Sequence, residues 1–392
     1  MDRVIYKSAD GIISKSSYKD EVNLYDNRVL ILDDMQKDRQ YLTLHKAFEQ
    51  GVIPILYDKN IISIKPRVDA LELDKLPRDT SAIFFTSGTT GEPTGAIKSR
   101  ENIRAELAVL KELFSPLKIE RVIVTVPLIH IYGFLAGVLL PRALEAEVVL
   151  KEEFLPHELL ELAEDKKTLC ITNPVFLRVL NKLNINKKYP NITFLSSTGK
   201  LDREIASSLH EKLAVTIYQL FGSTETGGIA YKINDDELWQ SLRGVEISKV
   251  GERLSINSLY ISDFLIEKHL TKVKKPFVTT DIIEIEQGRF KLLGRASEII
   301  KISGKRISLL EVEALLEKSE DIEEALVKLS YNIDSYKDEQ LDILLVSSMD
   351  LSALKKVVKE ILQENYKRIN IRVNLKLVKE LERSYMGKKI RR

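Results

Sequence analysis

The sequence predicts an α/β protein: a large N-terminal domain of parallel and mixed sheets packed with helices, then a small C-terminal α+β domain. Three observations predict it. Short apolar runs alternate with helical stripes through most of the chain, the pattern of strand–helix–strand units. Near residue 240 the pattern changes to short segments separated by turn residues. After Gly294 comes a compact stretch with two helical and three strand patterns. There is no internal repeat and no low-complexity segment.

The elements follow in order. Residues 28–33 (RVLILD) read as a buried strand, 41–50 as the helix after it and 51–57 (GVIPILY) as a second strand. Residues 83–85 lead into the loop TSGTTGEPTG at 86–95. Over 102–114, Ile103, Leu107, Leu110 and Phe114 share one helical face. Residues 121–127, 147–150, 169–172, 192–195 and 215–220 supply further strands. The stretch KVGERLSINSLYIS at 249–262 reads as an antiparallel patch, and a hairpin turns at Gln287-Gly288. A helix over 307–316, strands at 325–329 and 343–347, and a last strand at 371–378 complete the small domain. Between them lies a helix marked by Leu351, Leu354, Val358, Ile361 and Leu362, with Asp350 placed to cap it. The expected domains are 1–293 and 299–392, with 294–298 between them.

Composition narrows the function. A chain of 392 residues exceeds one ordinary core, and 60 Lys+Arg against 58 Asp+Glu argues against a nucleic-acid binder. Cys170 is the single cysteine, so no intrachain disulfide can form and a reducing compartment is expected. The N-terminus lacks the apolar core of a signal peptide, and no apolar run approaches the roughly 18 residues of a membrane span. A soluble cytoplasmic protein is the expectation.

Three clusters carry chemistry. The loop at 86–95 follows an apolar run with hydroxyls and glycines, a composition that can cradle phosphates through main-chain N–H groups. It lacks the lysine spacing of a Walker A loop. Residues 218–228 (YQLFGSTETGG) place hydroxyls and a carboxylate beside glycines, which suits a phosphate and its Mg²⁺. Residues 279–295 put Asp281 after two threonines and end in Gly294-Arg295, a carboxylate for ribose hydroxyls with an arginine near it. Any one of these, taken alone, is ordinary turn chemistry.

Their order resembles the adenylate-forming superfamily of acyl-CoA synthetases, amino-acid-adenylating domains, aryl-acid ligases and luciferase. PLIHIYG (127–133) is similar to its substrate-pocket motif, STGKL (197–201) to its adenine-flanking segment, and RSYMGKK (383–389) to its terminal lysine motif. TTD (279–281) and LLGR (292–295) are similar to its ribose and hinge motifs. The likeness runs from about residue 28 to the C-terminus. It implies ATP-dependent activation of a carboxylic acid as acyl-AMP with release of pyrophosphate, then transfer to a phosphopantetheine thiol of CoA or a holo-carrier protein. ATP would be held by Thr86, Ser87, Gly88, Thr89, Thr90, Gly91, Gly199, Lys200, Gly222, Ser223, Asp281 and Arg295. Glu225 would hold Mg²⁺, Thr224 the α-phosphate, and Lys388 would bridge the reacting oxygens. Lys389 is its neighbour, but the Gly-Lys spacing favours Lys388. His130, Tyr132, Gly133, Asn173, Phe176, Gly227 and Gly228 would shape the acid site, with His130 close to the chemistry. Ser297 would be the hinge and Gly304 would meet the pantetheine arm.

The departures from the family pattern are Thr94 for the phosphate-loop lysine, Ser297 for an Asp or Lys, Glu382 for a proline, and a short region before the loop. The last would open one side of the acyl pocket or create a homodimer surface. No acidic residue stands in LIHIYGF to pair an α-ammonium, so an aryl, unsaturated or fatty acid is expected rather than an α-amino acid. The chain looks most like short synthetases of bacterial aryl-polyene-type pathways. Lys301, Lys305 and Arg306 would receive an acidic acyl carrier protein or a CoA phosphate. Two other readings stay open: an adenylate-former with a non-thiol acceptor, and a non-catalytic nucleotide-binding relative. Lys388, Glu225, Asp281 and Arg295 argue against the second.

Overall fold

The computed structural model describes residues 4–7, 13–16, 29–32, 36–86, 93–296, 298–302, 305–331, 339–366, 372–383 and 389. The chain divides into two compact units, Met1–Ser248 with Ser255–Phe277, and Lys249–Leu254 with Val278–Arg392.

The first unit is built on two sheets. In the larger, strands Thr216–Ser223, Ile192–Ser196, Thr168–Thr172, Arg121–Val124, Glu147–Leu150 and Val4–Lys7 lie side by side, each parallel to its neighbour. Antiparallel strands close both edges, Ile13–Ser16 on one and Gly227–Ile233 with Gln240–Ser241 on the other. Alternate residues of the central strands enter different cores. Val122, Val124, Leu169 and Ile171 join one, while Ile123, Cys170 and Phe194 join the other. With both faces buried, these strands read as apolar runs rather than as alternation.

Helices Pro156–Ala163, Pro174–Lys182 and Arg203–Leu213 cover one face through Leu159, Leu160, Leu177, Leu180, Ala206 and Leu209. The sequence reading assigns none of these three, because two or three turns carry too few apolar positions to define a stripe. The other face meets helices Lys37–Gln50 and Arg100–Phe114, the buried π-helix Gly133–Leu139, and the second sheet. That sheet runs in the order Leu270–Lys272, Phe264–Ile266, Thr94–Ser99, Thr80–Thr86, Ile53–Leu56, Val29–Ile31. Its Leu56 and Phe84 face the shared core; Ile55, Ile83, Phe85 and Ile97 face a separate one.

In the second unit the expected hairpin forms from Phe277–Glu286 and Arg289–Arg295. Gln287 and Gly288 have φ of 48° and 79°, the left-handed pair that a tight two-residue hairpin turn requires. Strands Glu324–Tyr331, Glu339–Val346 and Arg372–Leu377 form a three-stranded sheet. Helices Leu309–Leu316 and Leu351–Asn365 pack on it through Val312, Leu316, Leu354, Val358 and Leu362. Asp350 caps the second helix, its Oδ1 accepting from the Ser352 N–H at 2.8 Å and the Ala353 N–H at 3.0 Å. The helix expected at 307 begins at Leu309 because Lys305–Ser308 pairs with Ile299–Ile302 as a strand. The expected boundary at 293 lies inside the strand Arg289–Arg295, and 278–293 cluster with the second unit. Ser297 and Gly304 lie outside the described residues. Among the described residues no helix is long and apolar enough to cross a membrane.

Candidate active site

Many of the expected residues of the first unit follow the carboxyl ends of four adjacent parallel strands, where open α/β sheets bind ligands. His130, Tyr132 and Gly133 come after Arg121–Val124, and Asn173 and Phe176 after Thr168–Thr172. Gly199 and Lys200 come after Ile192–Ser196. Gly222 and Ser223 end the strand Thr216–Ser223, with Thr224 and Glu225 in the turn beyond.

Each is placed by local chemistry. The buried Tyr132 hydroxyl lies against the main-chain carbonyls of Thr172, at 3.0 Å, and Leu195. It therefore ties the pocket segment to two strand ends. A Cβ on Gly133 would lie 1.9 Å from the Pro127 carbonyl oxygen, so only glycine allows that approach. His130 is half-buried. Asn173 caps the helix Pro174–Lys182, accepting from the Phe176 N–H at 3.0 Å, while Phe176 packs on the core beneath. Gly199 and Lys200 are exposed, and the Lys200 carbonyl accepts from Arg178 at 2.7 Å.

The turn 223–228 is laced internally. The Ser223 N–H donates to Thr226 Oγ1 at 3.0 Å, and the Thr226 N–H donates to Ser223 Oγ at 3.2 Å. A Cβ on Gly222 would sit 2.3 Å from the Gly227 carbonyl oxygen. The half-buried Thr224 and Glu225 side chains take no part in this lacing. One carboxylate beside hydroxyls suits a Mg²⁺ that takes its remaining oxygens from phosphates and water. Among the described residues no group of three or more His, Cys, Asp or Glu could hold a metal by itself. Thr86 pairs across the hairpin with Thr94, which brings together the two ends of the 86–95 loop. Ser87, Gly88, Thr89, Thr90 and Gly91 lie outside the described residues.

Two buried residues that the sequence reading missed hold this turn. Lys98 Nζ donates to the Glu225 carbonyl at 3.1 Å and to that of Tyr260 at 2.6 Å. Glu106 Oε1 accepts from the Gly228 N–H at 2.7 Å. Gly227 and Gly228 are buried against Glu106, and a Cβ on Gly227 would lie 2.4 Å from its Oε2. Burial pushes the Lys98 ammonium down and the Glu106 carboxyl up, each offset by the other's charge. The available signal was a lysine inside the apolar run GAIKS and a glutamate three residues from Ile103 on a helix. Charged groups in such places are buried only with partners.

In the second unit Asp281 and Arg295 stand opposite each other across the hairpin, with Arg295 Nε 3.5 Å from Asp281 Oδ1. The Asp281 N–H donates to Thr279 Oγ1 at 3.0 Å. Lys388 lies outside the described residues. Lys389 is committed to packing: its Nζ donates to the Ala325 carbonyl at 2.8 Å and pairs with Glu317.

The AMP-binding enzyme family model matches residues 18–263. The 4-coumarate–CoA ligase-like 8 of Arabidopsis thaliana is 29% identical over 282 residues, 64% of this chain and 50% of that protein. The medium-chain fatty-acid–CoA ligase of Escherichia coli is 27% identical over 278 residues, 64% of this chain and 49% of that protein. The chain thus spans about half the length of these relatives. A structure of the O-succinylbenzoate coenzyme A synthetase (MenE) of Bacillus subtilis, in complex with ATP and magnesium ion, matches with a TM-score of 0.75. It is 18% identical and covers 92% of this chain and 87% of that one, a likeness of fold.

Proposed function

The chain belongs to the AMP-binding enzyme family, and from that premise we propose that it is an ATP-dependent acid–thiol ligase. The observation that carries this reading is the row of pocket, adenine-flanking and Thr224–Glu225 residues at the carboxyl ends of adjacent parallel strands. In the first half-reaction a carboxylate oxygen of the substrate attacks the α-phosphorus of ATP. The bond from that phosphorus to the bridging oxygen breaks, pyrophosphate leaves, and acyl-AMP remains. The substrate is its own nucleophile, so the protein's work is positioning and charge stabilisation.

Thr86 and the loop residues 87–91 hold the β- and γ-phosphates, and Thr224 orients the α-phosphate. Magnesium, when bound, neutralises charge on the phosphate oxygens, and Glu225 is the residue that would hold it. Asp281 accepts from the ribose hydroxyls, with its carboxylate oriented by Arg295. Lys388 supplies a compact cation to the reacting oxygens. In the second half-reaction a phosphopantetheine sulfur attacks the acyl carbon. AMP leaves with the electrons of the broken C–O bond, and the thiol proton passes to solvent.

The acid is aryl, unsaturated or fatty. The absence of a carboxylate in 128–134 and the coumarate and fatty-acid ligases among the relatives both support that class. The acceptor is CoA or a holo-carrier protein. The test is thioester formation, read by mass, from ATP, Mg²⁺ and a panel of such acids with each thiol. One acid passing to one thiol is expected. Acyl-AMP that no thiol consumes would overturn the transfer step.

A further inference from the structure

A row of buried polar side chains runs from the strand after the 86–95 loop into the helix that follows. Lys98, Asn102 and Glu106 are only 1%, 4% and 4% exposed. Lys98 precedes the cap Ser99, and Asn102 and Glu106 share a face of the helix Arg100–Phe114. All three reach main-chain groups remote in sequence. Lys98 donates to the carbonyls of Glu225 and Tyr260, and Asn102 Nδ2 to those of Leu259, at 2.7 Å, and Ile261, at 3.3 Å. Glu106 accepts from the Gly228 N–H. The Ser262 N–H also donates to the Glu225 carbonyl, at 2.9 Å. The turn bearing Thr224 and Glu225 is therefore pinned at Glu225 and at Gly228 by side chains from outside its own hairpin.

A buried lysine and glutamate are poor devices for stability alone, since apolar residues of equal volume usually serve as well or better. Here their hydrogen bonds go to the backbone of one turn. We propose that Lys98 and Glu106 are positioning residues for the magnesium nucleotide, holding 223–228 in its binding geometry before nucleotide arrives. This rests on the assignment of Thr224 and Glu225 made above. A preformed turn avoids the entropic cost of ordering these groups on binding. Neither side chain touches the nucleotide; each acts through the backbone it holds.

The test is calorimetric binding of α,β-methylene-ATP, with and without Mg²⁺, to wild type and to Lys98→Met/Glu106→Gln. The double substitution removes both charges at similar volume and leaves no unpaired buried ion. It is expected to melt near wild type, bind the Mg²⁺ complex about 10- to 100-fold more weakly, and lose the affinity gained from Mg²⁺. Wild-type affinity with the Mg²⁺ gain intact would overturn the proposal alone. Wild type without Mg²⁺-dependent binding would overturn the Thr224–Glu225 assignment and the proposal with it. Hydrogen exchange on nucleotide-free wild type gives a check that does not depend on the variant folding. The Gly228 and Ser262 amides should already be protected; protection that arises only on binding would contradict the proposal.

Discussion

At Gly133 an added Cβ would meet a main-chain oxygen, that of Pro127 at 1.9 Å, whereas at Gly137 it would meet a Val124 methyl at 2.9 Å. A methyl can shift; the Pro127 carbonyl moves only with the loop that carries His130. Gly133→Ala is therefore expected to cost more than about 3 kcal/mol and Gly137→Ala about 1–2 kcal/mol, in line with overpacking of a close core. Urea unfolding measures both, and equal costs would contradict the geometry. A second residue sets an acid limit. Burial, then the Arg142 charge, lowers the His45 pKa from 6.5 to about 4. Between these values the unfolded chain binds the proton first, so stability is lost as pH falls from 6.5 towards 4 and is unaffected above. The loss is at most about 3 kcal/mol. His45→Gln should flatten that part of the pH–stability curve, and an unchanged slope would refute the assignment. The turn carrying Thr224 and Glu225 was marked in the sequence by hydroxyls and a carboxylate beside glycines. Lys98 and Glu106 were not, because their partners Tyr260 and Gly228 lie 162 and 122 residues away.

Strands were the most legible elements, since double burial leaves unbroken apolar runs such as 121–124. Short helices were least legible, and strand ends were cut early. Thr216–Ser223 runs past the expected 220 because Gly222 lets it pair closely with 227–228. The hairpin 277–295 was read correctly from one glutamine–glycine pair. Its turn needs both residues left-handed, so Gly288→Ala should cost about 1 kcal/mol. Gln287→Asn should gain a few tenths, since asparagine tolerates that backbone better. Calorimetry on the two variants checks the pair of signs. Matching signs would mean the turn does not hold its two-residue form.

Over the whole molecule, the α/β class and the family were legible because several weak motifs occur in one order, while the division into units was less so. The hairpin bearing Asp281 lies between two runs of different character, and compactness assigns it to the second unit. Sequence pattern alone does not weigh such packing. Lys389 is held by Glu317 and Ala325, and the proposed function gives the catalytic role to its neighbour Lys388. Lys388→Ala should lower acyl-AMP formation by orders of magnitude yet spare thiol transfer from supplied acyl-AMP; Lys389→Ala should chiefly destabilise. Lys305→Glu/Arg306→Glu should do the reverse of Lys388→Ala, sparing adenylation and weakening thiol transfer. Equal loss of both half-reactions in either case would contradict this division of labour.

The central claim is that a carboxylic acid is activated at the expense of ATP. The measurement that tests it most directly is pyrophosphate release from ATP and Mg²⁺ across a panel of aryl, cinnamic-type and fatty acids with no thiol present. The account predicts release that requires one acid class and yields AMP bound to that acid. Binding of nucleotide with no acid-dependent pyrophosphate from any member of the panel would contradict it.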